Sequence, residues 1–474
     1  MKPDGLGRTG RAALTVAGLS SFLGPFMSSS VNVALPSIGE EFGMGAVLLG
    51  WVNTAFLLAA AAPLVPFGRL GDMYGRKRLF ISGTAVLVLA SAVNASSSSA
   101  GMLIFGRIFQ GFGASMIFAT STAILMSAVP VDQRGRVLGI SVAAVYLGLS
   151  VGPFFGGLVT QHLGWRWIFW LNLPPGLVLL AVAALMLKGE WAEAGRAKFD
   201  FAGSLVLGTA LLTAMYGFAT LPSRSGALLI IAGVVSFVLF VRIEQRTPHP
   251  VLDIALFRHN TVFAFSSLAA LINYAATFAV GFLLSLYLQK VKGLPPQAAG
   301  LVLVAQPVVQ TLFSPVSGRW SDRVEPRTLA SLGMAMAFVG LVLLALLHQQ
   351  SSIGYVVACL VFLGLGFALF SSPNTHAIMS SVRRESYGVA SAVVSAMRQV
   401  GMMFSMGIVM MILSLLLGSA EIAPENQAQF VIGMRTAFTI FAVLCFGGIF
   451  ASLARGRVDR NGPPPESAAG YPAA

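Results

Sequence analysis

The chain has 474 residues, of which 56% are hydrophobic even without glycine and only 10% are charged. Soluble domains average about 45–50% apolar residues with glycine included, and about 25% charged residues. This composition excludes a soluble globular protein, a disordered chain, a collagen and a disulfide scaffold, and it leaves a membrane protein. The net charge of +13 does not indicate nucleic-acid binding, because the basic residues sit in small groups between apolar runs.

Apolar runs long enough to span a bilayer, which takes about 20 helical residues, occur fourteen times. They lie near residues 12–34, 48–67, 79–98, 102–126, 137–159, 167–187, 200–220, 226–242, 262–288, 298–317, 328–347, 353–374, 389–417 and 433–454. None has the alternation of polar and apolar residues that a β-barrel requires. We therefore predict an all-α polytopic membrane protein with both termini on one side.

The basic residues predict the orientation of these spans. With the N-terminus in the cytoplasm, 23 of the 30 Lys and Arg residues lie on the cytoplasmic side, five lie outside and two lie within spans, at Arg107 and Arg398. Loops rich in Lys and Arg stay in the cytoplasm. We therefore expect a protein of the cytoplasmic (inner) membrane with both termini cytoplasmic.

Two loops 250 residues apart resemble each other. GRLGDMYGRKR at Gly68–Arg78 follows span 2, and GRWSDRVEPR at Gly318–Arg327 follows span 10; both contain G-R-x-x-D, with the second Asp at Asp322. A shift of eight spans preserves orientation, so spans 1–6 and 9–14 form two parallel halves, and spans 7 and 8 are an insertion. Parallel repeats with the substrate site between them are a transporter architecture.

The predicted domains follow from this repeat. They are an N-terminal half (1–187), the inserted helices 7 and 8 (188–250), a C-terminal half (251–460) and a Pro-rich disordered tail (461–474).

The first loop contains the full pattern G-x-L-x-D-x-x-G-R-K-x. Gly68 and Gly75 permit a tight turn, and Asp72 can sit near the positive N-terminal end of span 3. Three basic residues hold the loop on the cytoplasmic side: Arg76, Lys77 and Arg78.

Spans 4 and 5 each contain an unusual polar or small-residue pattern. Arg107 with Gln110 lies in span 4, where an arginine costs about 2.5–3.5 kcal/mol on insertion scales and so indicates a functional role. Span 5 has small residues four apart, on one helix face that lets another helix approach closely. This pattern comprises Gly148, Gly152, Pro153, Gly156 and Gly157.

In this order the three motifs resemble those of the major facilitator superfamily. Within that superfamily, the fourteen spans and the Gly-Pro element resemble those of the fourteen-spanner drug:proton antiporter family. Three further segments also resemble that family: Asn32-Val-Ala-Leu-Pro36, Trp165-Arg-Trp-Ile-Phe169 and Arg398-Gln-Val-Gly401. The resemblance implies the major facilitator fold, with two six-helix bundles and two inserted helices. It further implies a non-enzymatic secondary active transporter of the multidrug efflux type, which exports amphipathic small molecules by alternating access and is proton-coupled.

The resemblance also implies residue roles. The loop Gly68–Arg78, with Asp322 as its counterpart, would control the conformational switch. Arg107 and Gln110 would take part in proton coupling, and the small-residue face of span 5 would favour the geometry of an antiporter.

The chain departs from the family in its acidic residues. Members often have Asp at the position of Met27, and all 17 acidic residues here fall in loops, termini or span ends. The candidates for lining a substrate cavity are Met27, Asn32, Asn53, Tyr146, Gln306, Asn374 and Arg398. The spans also contain the polar residues Asn273, Tyr274 and Gln310.

The missing carboxylate leaves an alternative open, which is an exporter or facilitator of a neutral or anionic metabolite or lipid-like compound without proton antiport. We expect no cofactor, no metal and no nucleic-acid partner. The expected partners are a small-molecule substrate, protons and the lipid bilayer, and the expected state is a monomer.

Overall fold

The computed structural model describes residues 8–130, 134–187, 189–190, 200–247, 257–258, 260–321, 323–382, 387–418 and 420–456. Asp322 and the tail 461–474 lie outside the described residues. Within them the secondary structure is helical throughout, as the sequence predicts.

The first eight helices form the N-terminal half. They are α1 (Arg8–Phe42), α2 (Ala46–Ala61), α3 (Leu64–Tyr74), α4 (Arg76–Ala95), α5 (Ala100–Ala128), α6 (Arg134–His162), α7 (Arg166–Trp170) and α8 (Leu173–Leu185). The helices predicted as an inserted pair are α9 (Phe201–Thr220) and α10 (Arg224–Glu244).

The C-terminal half contains the remaining helices. They are α11 (Thr261–Thr277), α12 (Val280–Leu286), a π-helical turn (Tyr287–Val291), α13 (Pro296–Leu303), α14 (Ala305–Ser321), α15 (Pro326–Ala345), α16 (Ile353–Ser380), α17 (Tyr387–Leu417), a 3-10 turn (Pro424–Asn426) and α18 (Gln427–Ala454).

Side-chain oxygens cap the N-termini of several of these helices. They accept hydrogen bonds from backbone N–H groups of the first turn, which have no partner within the helix. Such caps are made by Ser99 for α5, Asp200 for α9, Ser223 for α10, Asn260 for α11 and Ser352 for α16.

The second predicted span is broken. α2 ends at Ala61, Pro63 precedes α3, and the two axes differ by 45°. Proline has no N–H to donate, so the helical hydrogen bonds are interrupted there. The helix then continues into the predicted loop as far as Tyr74, and Gly75 alone separates α3 from α4, at φ +113°.

Twelve helical segments of the described chain are long and apolar enough to cross a membrane. α2 and α3 together pass the same test as one bent span, which makes thirteen, and Ala202–Phe218 of α9 is a shorter apolar helix. The chain is therefore a multi-pass membrane protein. The predicted total of fourteen requires both the bent pair and α9 to cross.

The two halves repeat the same packing pairs. In the N-terminal half α1 packs on α6, α2 on α5 and α4 on α5; in the C-terminal half α11 packs on α17, α14 on α16 and α15 on α16. These pairs correspond under the eight-span shift of the sequence repeat. The halves meet where α6 contacts α13 and α14, where α2 contacts α17, and where α1 contacts α12.

The helices predicted as an inserted pair reach the edge of this interface through α9, which contacts α2 as well as α17. α9 packs on α10 and on α17, while α10 exposes large apolar side chains such as Leu228 and Val235, with 66% and 61% of their surface accessible. Exposed apolar side chains of this kind suit contact with lipid.

Candidate functional site

The predicted loop Gly68–Arg78, which in the structure forms the end of α3, Gly75 and the start of α4, is held by ionic and polar contacts within the N-terminal half. We call the side of the bundle that bears this loop the basic side. Asp72 Oδ1 accepts from Arg76 Nε at 2.8 Å across the helix break, and Arg76 Nη1 donates to Ser127 Oγ of α5 at 2.8 Å. Lys77 Nζ donates to the Leu187 carbonyl beyond α8 at 2.6 Å. The loop is thus tied to α5 and α8.

Glu190 is a partner of this loop that sequence reasoning missed. Its Oε1 accepts from the backbone N–H of Lys77 at 2.9 Å, and its Oε2 lies 3.5 Å from Arg78 Nε. A carboxylate at the N-terminus of α4 satisfies backbone donors and opposes the positive end of the helix dipole. No sequence signal links Glu190 to a loop more than a hundred residues earlier.

Arg107 is enclosed within the N-terminal half, with 1% of its surface exposed. Its Nε donates to the Val52 carbonyl at 2.9 Å, its Nη1 donates to Gln110 Oε1 at 2.6 Å, and its guanidinium carbon lies 4.4 Å from the centre of the Phe56 ring. These contacts are two hydrogen bonds and a cation–π contact, all with neutral groups.

Gln110 extends this network. Its Oε1 also accepts from Asn94 Nδ2 at 3.1 Å, and its Nε2 donates to Ser91 Oγ at 2.8 Å. The predicted pair Arg107 and Gln110 is therefore in direct contact, in a polar core between α2, α4 and α5.

The glycine face of α6 packs directly on the backbone of α1. A Cβ at Gly156 would lie 2.7 Å from Ser30 Cα, and one at Gly148 would meet the Phe22 carbonyl. Ser30 Oγ donates to the Gly152 carbonyl at 2.9 Å. The absence of side chains on this face lets the two helices approach to backbone contact.

The next part of this face reaches the other half. A Cβ at Gly157 would meet the Pro296 carbonyl, and one at Gly300 of α13 would meet the Pro153 carbonyl. α6 therefore contacts α13 backbone to backbone across the interface between the halves.

Contacts between the halves also close the side opposite the basic side. Lys290 Nζ lies 2.8 Å from Glu40 Oε1, and Gln289 Nε2 donates to the Val33 carbonyl at 2.9 Å. The backbone N–H of Gln297 donates to Gln161 Oε1 at 3.2 Å. Lys290 and Gln289 lie in the π-helical turn, an irregularity often found at functional sites.

The predicted cavity residues lie in several different environments. Asn53 Nδ2 donates to Asn32 Oδ1 at 2.6 Å, and Ser285 Oγ of the other half donates to the Asn32 carbonyl at 2.6 Å. Asn374, 2% exposed, donates to the Ser266 carbonyl at 3.1 Å and so joins α16 to α11.

Two further candidates, Met27 and Gln306, differ in how much of their surface is exposed. Met27 is 1% exposed within the apolar core, and Gln306 is partly exposed on α14.

The two other candidates, Tyr146 and Arg398, belong to a cluster that joins the halves. Tyr146 Oη donates to Ser371 Oγ of α16 at 3.1 Å, and the Tyr274 phenol on α11 lies close to both Ser371 and Arg398. We call Tyr146, Tyr274, Ser371 and Arg398 the tyrosine–arginine cluster. Ser371 gave no signal in the sequence, because a serine in a span is ordinary helix-packing chemistry.

Comparison with known proteins agrees with this architecture. Residues 17–405 and 266–473 match the Major Facilitator Superfamily. The chain belongs to this superfamily. It is therefore a transport protein and not an enzyme, and its superfamily carries small-molecule substrates.

Two relatives are similar over most of the chain. The riboflavin transporter RibZ of Clostridioides difficile (strain 630) is 29% identical over 91% of this chain and 95% of its own length. The multidrug resistance protein Stp of Mycobacterium tuberculosis (strain CDC 1551 / Oshkosh) is 30% identical over 84% of this chain and 74% of its own.

A solved structure shares the fold. The crystal structure of a D-xylose-proton symporter superposes with a TM-score of 0.66 at 14% identity, over 94% of this chain and 97% of that one.

Proposed function

We propose that this protein is a secondary active transporter that exports amphipathic small molecules in exchange for protons by alternating access. It would have fourteen transmembrane helices, as the fourteen-spanner drug:proton antiporters do, with both termini in the cytoplasm. The similarity to Stp, whose name describes multidrug resistance, supports export.

The contact between α6 and α13 is the observation that carries this proposal. The carbonyl of Pro153 faces Gly300 and the carbonyl of Pro296 faces Gly157, so the two halves touch through backbone where no side chain intervenes. Such a contact lets two rigid bundles rock against each other at this point of their interface. The glycine face of α6 would thus be the antiporter helix face.

The loop Gly68–Arg78 would act as the conformational switch, with Asp322 as its counterpart in the other half. Its glycine break and its ion pair between Asp72 and Arg76 support this role, because a helix end held by a partly exposed ion pair can be released at small cost.

Arg107 and Gln110 would take part in proton coupling. The pair is buried and hydrogen-bonded. Because an ionised side chain is costly to hold inside a membrane, its presence there indicates a functional role. The remaining candidates would contact the substrate: Met27, Asn32, Asn53, Tyr146, Gln306, Asn374 and Arg398.

A second candidate is export or facilitated diffusion of a neutral or anionic metabolite or lipid-like compound without proton antiport. Two observations favour it. No acidic residue of the sequence falls in the middle of a predicted span, and the similarity extends over 91% of the chain to a protein named as a riboflavin transporter.

Drug susceptibility in a pump-deficient bacterial host tests the proposal. Expression of the native chain should raise resistance to a panel of amphipathic compounds, and a protonophore should remove that resistance. Resistance that persists with the protonophore would favour the second candidate, and no resistance at all would contradict multidrug export. A Gly156→Leu variant at equal membrane abundance serves as the inactive control.

A further inference from the structure

We propose that Arg398 binds a negatively charged group of the transported molecule, and that the preferred substrates combine an aromatic body with an acidic group. This inference names the substrate class of the proposed transporter and rests on that function. It depends on the tyrosine–arginine cluster, which gathers side chains from four helices and both halves.

The two arginines within the predicted spans differ in what they can reach. Arg107 is 1% exposed and surrounded by Val52, Gln110 and Phe56 inside one half. Arg398 is partly exposed and lies beside Tyr274, in the cluster that Tyr146 and Ser371 join across the two halves. Only Arg398 of this pair is therefore placed to meet a molecule that passes between the halves.

Local packing places Arg398 beside Tyr274. A Cβ at Gly401 of α17 would lie 3.0 Å from Tyr274 Cβ, so α17 lies against α11 at this point. Residues three apart share a helix face, so Arg398 emerges on the same side of α17 as Gly401. Its guanidinium then lies close to the Tyr274 phenol.

The cluster lies deep within the bundle. Tyr146, Tyr274 and Arg398 follow the starts of α6, α11 and α17 by eleven to thirteen residues, and Ser371 precedes the end of α16 by nine. At 1.5 Å per residue these positions are about 14–20 Å from the basic-side ends of their helices. The four side chains therefore share one level, well inside the ends of the bundle.

The charge of Arg398 has no acidic partner among the described residues. Ion pairs in that part of the chain involve Asp72, Glu190, Glu41 and Glu40, at the ends of the bundle. The neighbour of Arg398 in this cluster is the Tyr274 hydroxyl. A guanidinium has five N–H donors, and in a region of low dielectric it attracts an anion strongly. A carboxylate, sulfonate or phosphate group on the substrate would supply the missing countercharge.

Aromatic surface adjoins this charge. The Tyr274 ring lies 5.3 Å from the Phe367 ring in an edge-to-face arrangement, and Phe367 is one helical turn from Ser371. A planar apolar body can pack on these rings while its acidic group meets Arg398. A cation of the same shape would be repelled, and a neutral analogue would leave the guanidinium without its countercharge.

Binding of matched aromatic probes tests this inference without requiring transport. Radiolabelled 1-naphthylacetate would be bound to the purified native chain in nanodiscs, with 1-naphthylacetamide and 1-naphthylethylamine as neutral and cationic competitors. We expect the acid to bind at least about tenfold more tightly than the amide, because charge-assisted hydrogen bonds are roughly twice as strong as neutral ones. The amine should not compete.

Four variants locate the effect. Arg398→Gln should weaken binding of the acid about tenfold or more and remove its advantage over the amide. Arg398→Lys should keep part of that advantage, since it retains charge without the planar fork, and Tyr274→Phe should weaken the acid less. Arg435→Gln is the matched control, because Arg435 is exposed at the opposite side and donates to the Ala345 carbonyl; its binding should equal that of the native chain.

Several results would overturn the inference. They are no binding of naphthylacetate to the native chain, equal binding of the acid and the amide, or an unchanged preference in Arg398→Gln. If Arg398→Gln fails to fold, an unchanged acid-to-amide ratio in Arg398→Lys and Tyr274→Phe overturns it instead. If binding depends on charge but no outward transport occurs, the proposed export is contradicted and this inference is not. If neutral and cationic dyes are exported and Arg398→Gln does not change that export, this inference is contradicted and the proposed export is not.

Discussion

Replacement of Gly156 by leucine is expected to abolish transport by forcing α1 away from α6. A Cβ at this position would lie 2.7 Å from Ser30 Cα and 2.9 Å from the Ser30 carbonyl oxygen, where ordinary contacts begin at 3.4 Å. Even alanine therefore requires the neighbouring backbone to move by about 0.7 Å, the difference between 3.4 and 2.7 Å. Leucine adds three more carbon atoms, and the neighbour is backbone, which cannot rotate out of the way.

The energetic cost follows from this geometry. Overpacking of a close-packed site costs about 1–3 kcal/mol. Separation of the helices would also break the hydrogen bond from Ser30 Oγ to the Gly152 carbonyl, worth about 1 kcal/mol. A total of about 2–4 kcal/mol corresponds to a shift of about 30-fold to 1,000-fold in any equilibrium that needs this contact.

The assay is uptake into proteoliposomes with an imposed pH gradient, at equal amounts of purified protein. Gly447→Leu is the matched control, because a Cβ at Gly447 of α18 would have no neighbouring atom within 4 Å, and this variant should transport normally. Gly156→Ala should fall between the two. Native transport and native thermal stability in Gly156→Leu would refute the reasoning, since they would mean that α1 and α6 do not meet at this face.

Three further outcomes are expected. Asp72→Asn should impair transport while membrane abundance stays native, because a partly exposed ion pair contributes only about 0.2–1 kcal/mol to stability; normal transport in vesicles would rule out a switch role. Arg107→Ala should abolish transport in the same assay and Arg107→Lys should restore only a small part, because lysine cannot reproduce the guanidinium fork; unchanged transport in Arg107→Ala would contradict proton coupling there. Cysteines introduced into residues 418–432 and into the tail 461–474 should label from opposite sides of the membrane, and labelling from one side would contradict the fourteen-span topology; both native cysteines are buried.

Much of the architecture follows from the sequence alone. Apolar runs identify helices because backbone polar groups must be satisfied internally in lipid. The two G-R-x-x-D loops identify a repeat, and the helix pairs that pack together in one half correspond to those in the other. The break between α2 and α3 is harder to predict, because proline is tolerated in transmembrane helices and Pro63 lies within an otherwise continuous apolar run.

The sequence also predicts the positions of close helix contact and of a tight turn. Glycines spaced four apart on α6 predict close helix contact from periodicity alone, and Gly75 adopts a positive φ that other residues rarely do.

The tertiary structure decided which polar side chains act together. Glu190 meets the N-terminus of α4, Glu40 meets Lys290, and Tyr146 meets Ser371 only because helices distant in sequence pack side by side. By composition alone, Arg107 and Arg398 are both single arginines in apolar runs. Packing separates them, because Val52, Phe56 and Gln110 enclose Arg107 within one half, whereas Arg398 stays partly exposed beside Tyr274. Composition and periodicity report the average environment of a helix, whereas a charge is stabilised by the particular dipoles and ions within a few ångströms of it.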